Sequence, residues 1–195
     1  MFFRRVMTQE ATLPQLPELT REAAKTQAQA CDAAQVFAEH ADYVWNTLRR
    51  LGAPPAELED MTHDTFLAVF RAWDDYDPTR PLRPWLFVFA LRVVSGYRRR
   101  ARHRFEVAEA REASDSAPNA VELLLQKERL AWAHEALQDV ALSRRSVFIL
   151  HELDGCSIPE VAAALAIPVA TAYSRLRLAR EDFAASIKRR AARAR

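Results

Sequence analysis

The chain has 195 residues, half of them hydrophobic and 28% charged, with a formal net charge of +2. That is enough apolar material for one medium core or two small ones, without a strongly basic or acidic total. No run of 18 apolar residues occurs, which argues against membrane insertion. Cys31 and Cys156 lie far apart without metal-ligand spacing and fit a reducing cytoplasm.

Only 3 glycines interrupt a chain dominated by alanine, leucine, arginine and glutamate, so an all-α fold is expected. Residues 1–30, with Pro14 and Pro17 among polar residues, read as a poorly ordered extension. The opening MFFRRV lacks the apolar run of a secretory signal, and Met7 is an alternative start. A helix is predicted from Ala33 to Leu51, closed by Gly52 and by Pro54-Pro55. The next runs from Ala56 to Trp73, with Leu58, Met61, Thr65, Phe66, Val69 and Phe70 at i, i+3, i+4 spacing. DDYDPTRP (74–81) is a loop, and a third helix extends from Pro84 to Arg102.

The stretch 105–120 is small, polar and aperiodic, and reads as a flexible linker between two small helical domains, 31–104 and 121–195. Helices are predicted again from Val121 to Val140 and from Arg144 to Leu153. Ser157 and Glu160 then form a capping box that starts a short helix with Val161, Ala162 and Leu165 inward. Ile167-Pro168 turns the chain into a last helix with Val169, Ala172, Leu176, Ala179, Phe183 and Ile187 on its inner stripe. The corner residue Ala166 is expected near the left-handed region, where glycine is the ordinary choice. The outer face carries Ala170, Thr171, Ser174, Arg177, Leu178 and Glu181, flanked by Tyr173, Arg175 and Arg180. Small hydroxyls toward bases and arginines toward phosphates suit a helix that enters the major groove.

Charge is separated along the chain. Asp42, Glu57, Glu59, Asp60, Asp64, Asp74, Asp75 and Asp77 outnumber the neighbouring bases, whereas Arg98, Arg99, Arg100, Arg102 and Arg104 form an arginine run. Such blocks predict one basic and one acidic partner.

With these features, the chain resembles the RNA polymerase sigma factors of the extracytoplasmic-function (ECF) group. The segment FAEHADYVWNTLRRLGAPPAELEDMTHDTFLAVFRAWDDYDPTRPLRPWLFVFALRVVSGYRRR resembles sigma region 2, and ALSRRSVFILHELDGCSIPEVAAALAIPVATAYSRLRLARE resembles region 4. The resemblance implies a first domain that binds core RNA polymerase and the melted −10 strand, and a helix-turn-helix domain that reads the −35 element in double-stranded DNA. It implies a polymerase contact at Asp60, His63, Asp64 and Leu67. It implies −10 contacts at Trp85, Arg92, Arg98, Arg99, Arg100 and Arg102, with core packing the commoner role for an aromatic such as Trp85. It implies −35 contacts at Thr171, Tyr173, Ser174, Arg175, Arg177 and Leu178. Relatives are commonly restrained by an anti-sigma factor, often at the membrane, so a cytoplasmic protein with such a partner is expected.

The chain departs from the family pattern at several positions. Leu91-Arg92 stands where Arg-Asn is frequent, Gly96 where aspartate is common, and Ala166 where the corner is usually glycine. The common opening Gly-Thr-Val-Lys-Ser-Arg of the recognition helix is Ala170, Thr171, Ala172, Tyr173, Ser174, Arg175 here. An inherited promoter consensus is therefore not expected. The competing reading is a stand-alone helix-turn-helix regulator, which has no need of an acidic polymerase-binding face. An enzyme is not expected: His151, Asp154 and Ser157 crowd one helix end without an oxyanion site. His63-Asp64 lacks a third metal ligand, and neither cofactor nor metal is predicted.

Overall fold

The computed structural model describes the backbone of residues 16–105 and 121–193, and the side chains of 34–101 and 130–193. The described residues form helices and no strands: α1 Leu16–Leu51, α2 Leu58–Arg71, α3 Leu82–Phe105, α4 Val121–Gln138, α5 Leu142–Phe148, α6 Ile158–Ala164 and α7 Val169–Arg193. Two compact units are distinguished, Met1–Glu39 and His40–Arg195. Residues 1–15 of the expected extension lie outside the described residues, and the helix predicted from Ala33 begins at Leu16. The physical reason is composition: beyond Pro17, which a first helical turn tolerates, the run of Glu, Ala, Lys and Gln contains no breaker. In this unit Gln35 Nε2 donates to Glu39 Oε1 at 2.9 Å, one turn on.

In the larger unit, the first core joins Val44, Leu48 and Leu51 of α1 to Met61, Phe66 and Val69 of α2, and to Leu86, Phe87, Ala90 and Val94 of α3. Thr62 and Thr65 enter it at little polar cost, because each hydroxyl donates to the carbonyl one turn back, Leu58 O and Met61 O, at 2.7 Å. The α2 helix is shorter than predicted. Single 3-10 turns at Pro55–Glu57 and Trp73–Asp75 flank it. Pro84 falls in the first turn of α3, where its missing N–H leaves no carbonyl unserved. The predicted linker, apart from Phe105 at the end of α3, lies outside the described residues.

The second core packs α4, α5 and α6 on α7. It is lined by Ala136, Leu137, Val147, Ile149, Leu150, Ile158, Val161, Ala162, Ala172, Leu176 and Ala179. The helix predicted from Arg144 to Leu153 is α5 followed by a π turn, Ile149–Leu153. Such a turn is rare and locally widens the helix.

The capping box is formed. Ser157 Oγ accepts the Glu160 N–H at 3.4 Å, and Glu160 Oε2 accepts the Ser157 N–H at 2.7 Å. Between α6 and α7 the chain turns through 106°, within the range of a helix-turn-helix. The corner is Ala166, with φ 51, the non-glycine left-handed residue of the described chain. Alanine pays there for a Cβ crowded against its own backbone. Ala166→Gly should therefore raise stability by roughly 0.5–1 kcal/mol, the steric relief exceeding the added flexibility of the unfolded chain. Urea unfolding reads this directly, and a lower midpoint for the variant would refute it.

The inner stripe of α7 is displaced from expectation at both ends. Val169, in the first turn ahead of the packed segment, is exposed, while Ser186 is buried and donates its hydroxyl to Asp139 Oδ2. Burial of a serine is acceptable when a carboxylate accepts its hydrogen bond.

Candidate nucleic-acid interface

Four aromatic rings meet where the 74–81 loop enters α3. Trp85 lies 4.8 Å from Phe89, 5.0 Å from Tyr76 and 5.9 Å from Trp73, centroid to centroid, with tilted or edge geometry. Arg92 stands over the Phe89 ring at 5.4 Å, a cation–π placement. The loop is internally tied. Asp77 Oδ1 accepts the Thr79 N–H at 3.0 Å and its hydroxyl at 2.7 Å, and Tyr76 OH donates to Arg80 O at 2.7 Å. The Thr79 bonds hold the Asp77 carboxyl below its ordinary range.

Beside the rings lies a cavity of about 510 Å³, lined by Tyr76, Trp85, Phe89 and Arg92 among others, and by Glu160, Ala163 and Ala164 of α6. Trp85 thus packs against its neighbours and presents a half-buried face to the cavity. Aromatic faces with a guanidinium alongside can stack an unpaired base. Sequence reading picked out Trp85 and Arg92 and missed Tyr76 and Phe89. The usable signal was the Trp85/Phe89 spacing of one helical turn just after an aromatic-bearing loop.

The arginine run divides. Arg99 and Arg100 are exposed. Arg98 is half-buried, and its Nη2 donates to Leu51 O at 3.3 Å. The Arg102 side chain lies outside the described residues.

On α2, Asp60, His63, Asp64 and Leu67 all face out, with Leu67 52% exposed. Met61, Thr62, Thr65, Phe66 and Val69 occupy the buried side of the same helix. The acidic face and the packing face are therefore physically separate.

On α7, Tyr173, Ser174 and Arg177 are exposed, while Thr171, Arg175 and Leu178 are half-buried. Ser174 Oγ donates to Thr171 O at 2.9 Å. Arg177 Nη1 donates to Glu181 Oε1 at 2.6 Å, an exposed pair one turn apart. Such pairs contribute only about 0.2–0.5 kcal/mol, so the guanidinium is easily diverted to another acceptor. Arg180 is paired across to Glu152 at 2.6 Å.

Arg190, near the end of α7, is committed within the fold. Its Nη1 donates to Asp139 Oδ2 at 2.7 Å and its Nε to Glu135 Oε2 at 3.1 Å. It pins α7 to the end of α4, because the carboxylates of Glu135 on α4 and of Asp139 just beyond it sit opposite. The hydrogen bond from Ser186, and then that from Arg190, holds Asp139 below its ordinary pKa.

The residues weighed for catalysis are dispersed in their engagements. His151 Nδ1 lies 2.8 Å from Cys156 O, Asp154 accepts from Tyr43 OH at 2.8 Å, and Ser157 caps α6. Among the described residues no group of three or more His, Cys, Asp or Glu side chains could hold a metal ion. No single described helix is long and apolar enough to cross a membrane.

Residues 36–104 match the sigma-70 region 2 family, and residues 130–183 match the sigma-70 region 4 family. The chain is 31% identical over 160 residues to RNA polymerase sigma factor CnrH of Cupriavidus metallidurans, covering 77% of this chain and 84% of that one. It is also 31% identical over 159 residues to the ECF RNA polymerase sigma factor SigL of Mycobacterium tuberculosis, covering 78% and 86%. Among solved structures it resembles CnrH in complex with the cytosolic domain of CnrY, with a TM-score of 0.57 at 27% identity over 84% of this chain and 94% of that one. A likeness in fold alone extends to RpoE bound to the anti-sigma factor NepR from Bartonella quintana, with a TM-score of 0.63 at 20% identity over 80% and 97%.

Proposed function

Because this chain belongs to the RNA polymerase sigma factors of the ECF group, we propose a division of its surface among the duties of that family. As a sigma factor it binds core RNA polymerase and directs promoter-specific initiation of transcription. Residues 31–104 form the domain for core polymerase and the −10 element, and 121–195 the domain for the −35 element. The exposed face of Asp60, His63, Asp64 and Leu67 is the polymerase contact, which a stand-alone regulator would not need. Trp85 and Arg92 hold the melted −10 strand. Arg99, Arg100 and Arg102 contact phosphates, a sequence-blind and salt-sensitive role. Arg98 joins them only when it leaves Leu51 O. The chain carries no catalysis of its own.

The observation that supports the −35 assignment best is the 106° corner, which leaves Tyr173, Ser174 and Arg177 exposed on α7. Thr171, Arg175 and Leu178 border that face. Arg177→Ala should change preference at one or two −35 positions by roughly 1–3 kcal/mol. Run-off transcription by core enzyme on a promoter pool measures it. An equal loss on every promoter would remove Arg177 from base reading.

CnrH is seen in complex with the cytosolic domain of CnrY. By that analogy a cytoplasmic anti-sigma domain, tethered at the membrane or free, is the natural partner here. Co-purification of such a domain with the full chain tests it.

A further inference from the structure

We propose that Val169 and Tyr173, one helical turn apart at the start of α7, read a thymine of the −35 element through its C5-methyl group; this rests on the −35 assignment above. Helical period places Val169 on the inner stripe with Ala172, Leu176 and Ala179. Those three are buried, yet Val169 is 44% exposed and Tyr173 58%. The chain enters α7 from an exposed corner, the left-handed Ala166 and then Pro168, so the first turn stands ahead of the core. Two large apolar side chains are thus left side by side in water, on the same helix that exposes Ser174 and Arg177. A partner surface that covers them releases that water.

The side chains of this turn decide what that surface must be. Its sequence, Val-Ala-Thr-Ala, holds no charge, and Thr171 is half-buried. The Ser174 hydroxyl donates to Thr171 O at 2.9 Å. Arg177 stands about 12 Å beyond Val169 along the helix, at 1.5 Å per residue. The N-terminal residues of a recognition helix are the ones that reach base edges in the major groove. There adenine, guanine and cytosine offer hydrogen-bonding groups, and thymine adds a methyl. A valine can therefore favour only thymine among the four bases. Against the methyl, apolar surface is buried on both sides. Against another edge, valine displaces water from a donor or acceptor without replacing the bond. Tyr173 extends the contact with an apolar ring whose hydroxyl end stays wet. The face of α7 is divided in this way into a methyl-reading start and a hydrogen-bonding part around Arg177. The thymine then lies at a different base pair from those whose preference Arg177→Ala changes.

The test uses holoenzyme assembled from core RNA polymerase and the full chain, which selects promoters from a duplex pool randomised through the −35 segment. Each thymine of the selected segment is then replaced singly by deoxyuridine, which removes the methyl and keeps the base pair. At one or two thymines the wild type should lose about threefold to fivefold in promoter affinity, the scale of one buried methyl. Val169→Ala should be indifferent to that replacement, whereas Val169→Ile and Tyr173→Phe should keep the wild-type response. Val169→Thr, unchanged in shape but with one methyl exchanged for a hydroxyl, should respond less than wild type and serves should the alanine variant fail to fold. A response that persists undiminished in Val169→Ala or Val169→Thr, or a −35 segment selected without thymine, overturns the methyl reading and leaves the −35 assignment standing. A pool that shows no −35 preference at all removes both.

Discussion

Asp60→Arg combined with Asp64→Arg is expected to abolish capture of core RNA polymerase while leaving the fold intact. The two carboxylates are one turn apart on α2 and exposed, opposite Met61, Phe66 and Val69. Reversing them should alter folding stability by no more than about 1 kcal/mol, as for other exposed charges. At an interface with a basic surface, each reversal replaces an attraction by a repulsion, and two together can cost several kcal/mol. Pull-down of core enzyme and run-off transcription should both collapse, with circular dichroism unchanged. A folded double variant that captures core enzyme like the wild type would make this face ordinary solvated surface, and would move the polymerase contact elsewhere on the chain.

Arg145→Ala is expected to destabilise the protein by about 2–4 kcal/mol. The side chain is 1% exposed, and burial, with the nearby Arg98, pushes its guanidinium down to about 10, still charged at neutral pH. Its fork donates to Val140 O, Leu51 O, the Gln138 carbonyl and Gln138 Oε1. Truncation deprives Val140 O and the Gln138 oxygens of this donor, leaves Leu51 O with Arg98 alone, and opens a void. Arg145→Lys should fall between wild type and alanine, because an ammonium cannot reproduce the planar fork. Urea unfolding of the three chains is the measurement, and coincident midpoints for alanine and wild type would show that water replaces the guanidinium at no cost.

The sequence carried the helical nature of the chain, the capping box at Ser157 and Glu160, and the left-handed corner at Ala166. These are local: a hydroxyl with a carboxylate three residues on, or a turn of fixed length, depends on neighbours a few residues away. The exposed face of α2 was legible for the same reason, since helical period alone separates Asp60 and Asp64 from Met61 and Phe66. The start of α1 at Leu16 was missed because two prolines outweighed the helix-forming run that follows them.

The fates of single arginines were not legible. Arg98, Arg145, Arg177 and Arg190 look alike in a basic, amphipathic sequence, yet each has different company. Arg98 reaches Leu51 O, 47 residues back, Arg145 reaches it across 94, Arg177 pairs one turn along its own helix, and Arg190 joins Asp139 from 51 residues away. Periodicity reports which face of a helix is wet or dry. It does not report which acceptor a long, flexible cation finds there, because that depends on the packing of elements distant in sequence. By itself the sequence determined the helices, their caps and their apolar faces, since those are set by interactions within about one helical turn. Only the tertiary structure decided which cations are committed inside the fold and which remain outward, and that Gln138 and Arg145 meet the end of α1, because the carbonyls of Arg50 and Leu51 accept from whatever side chains packing brings to them.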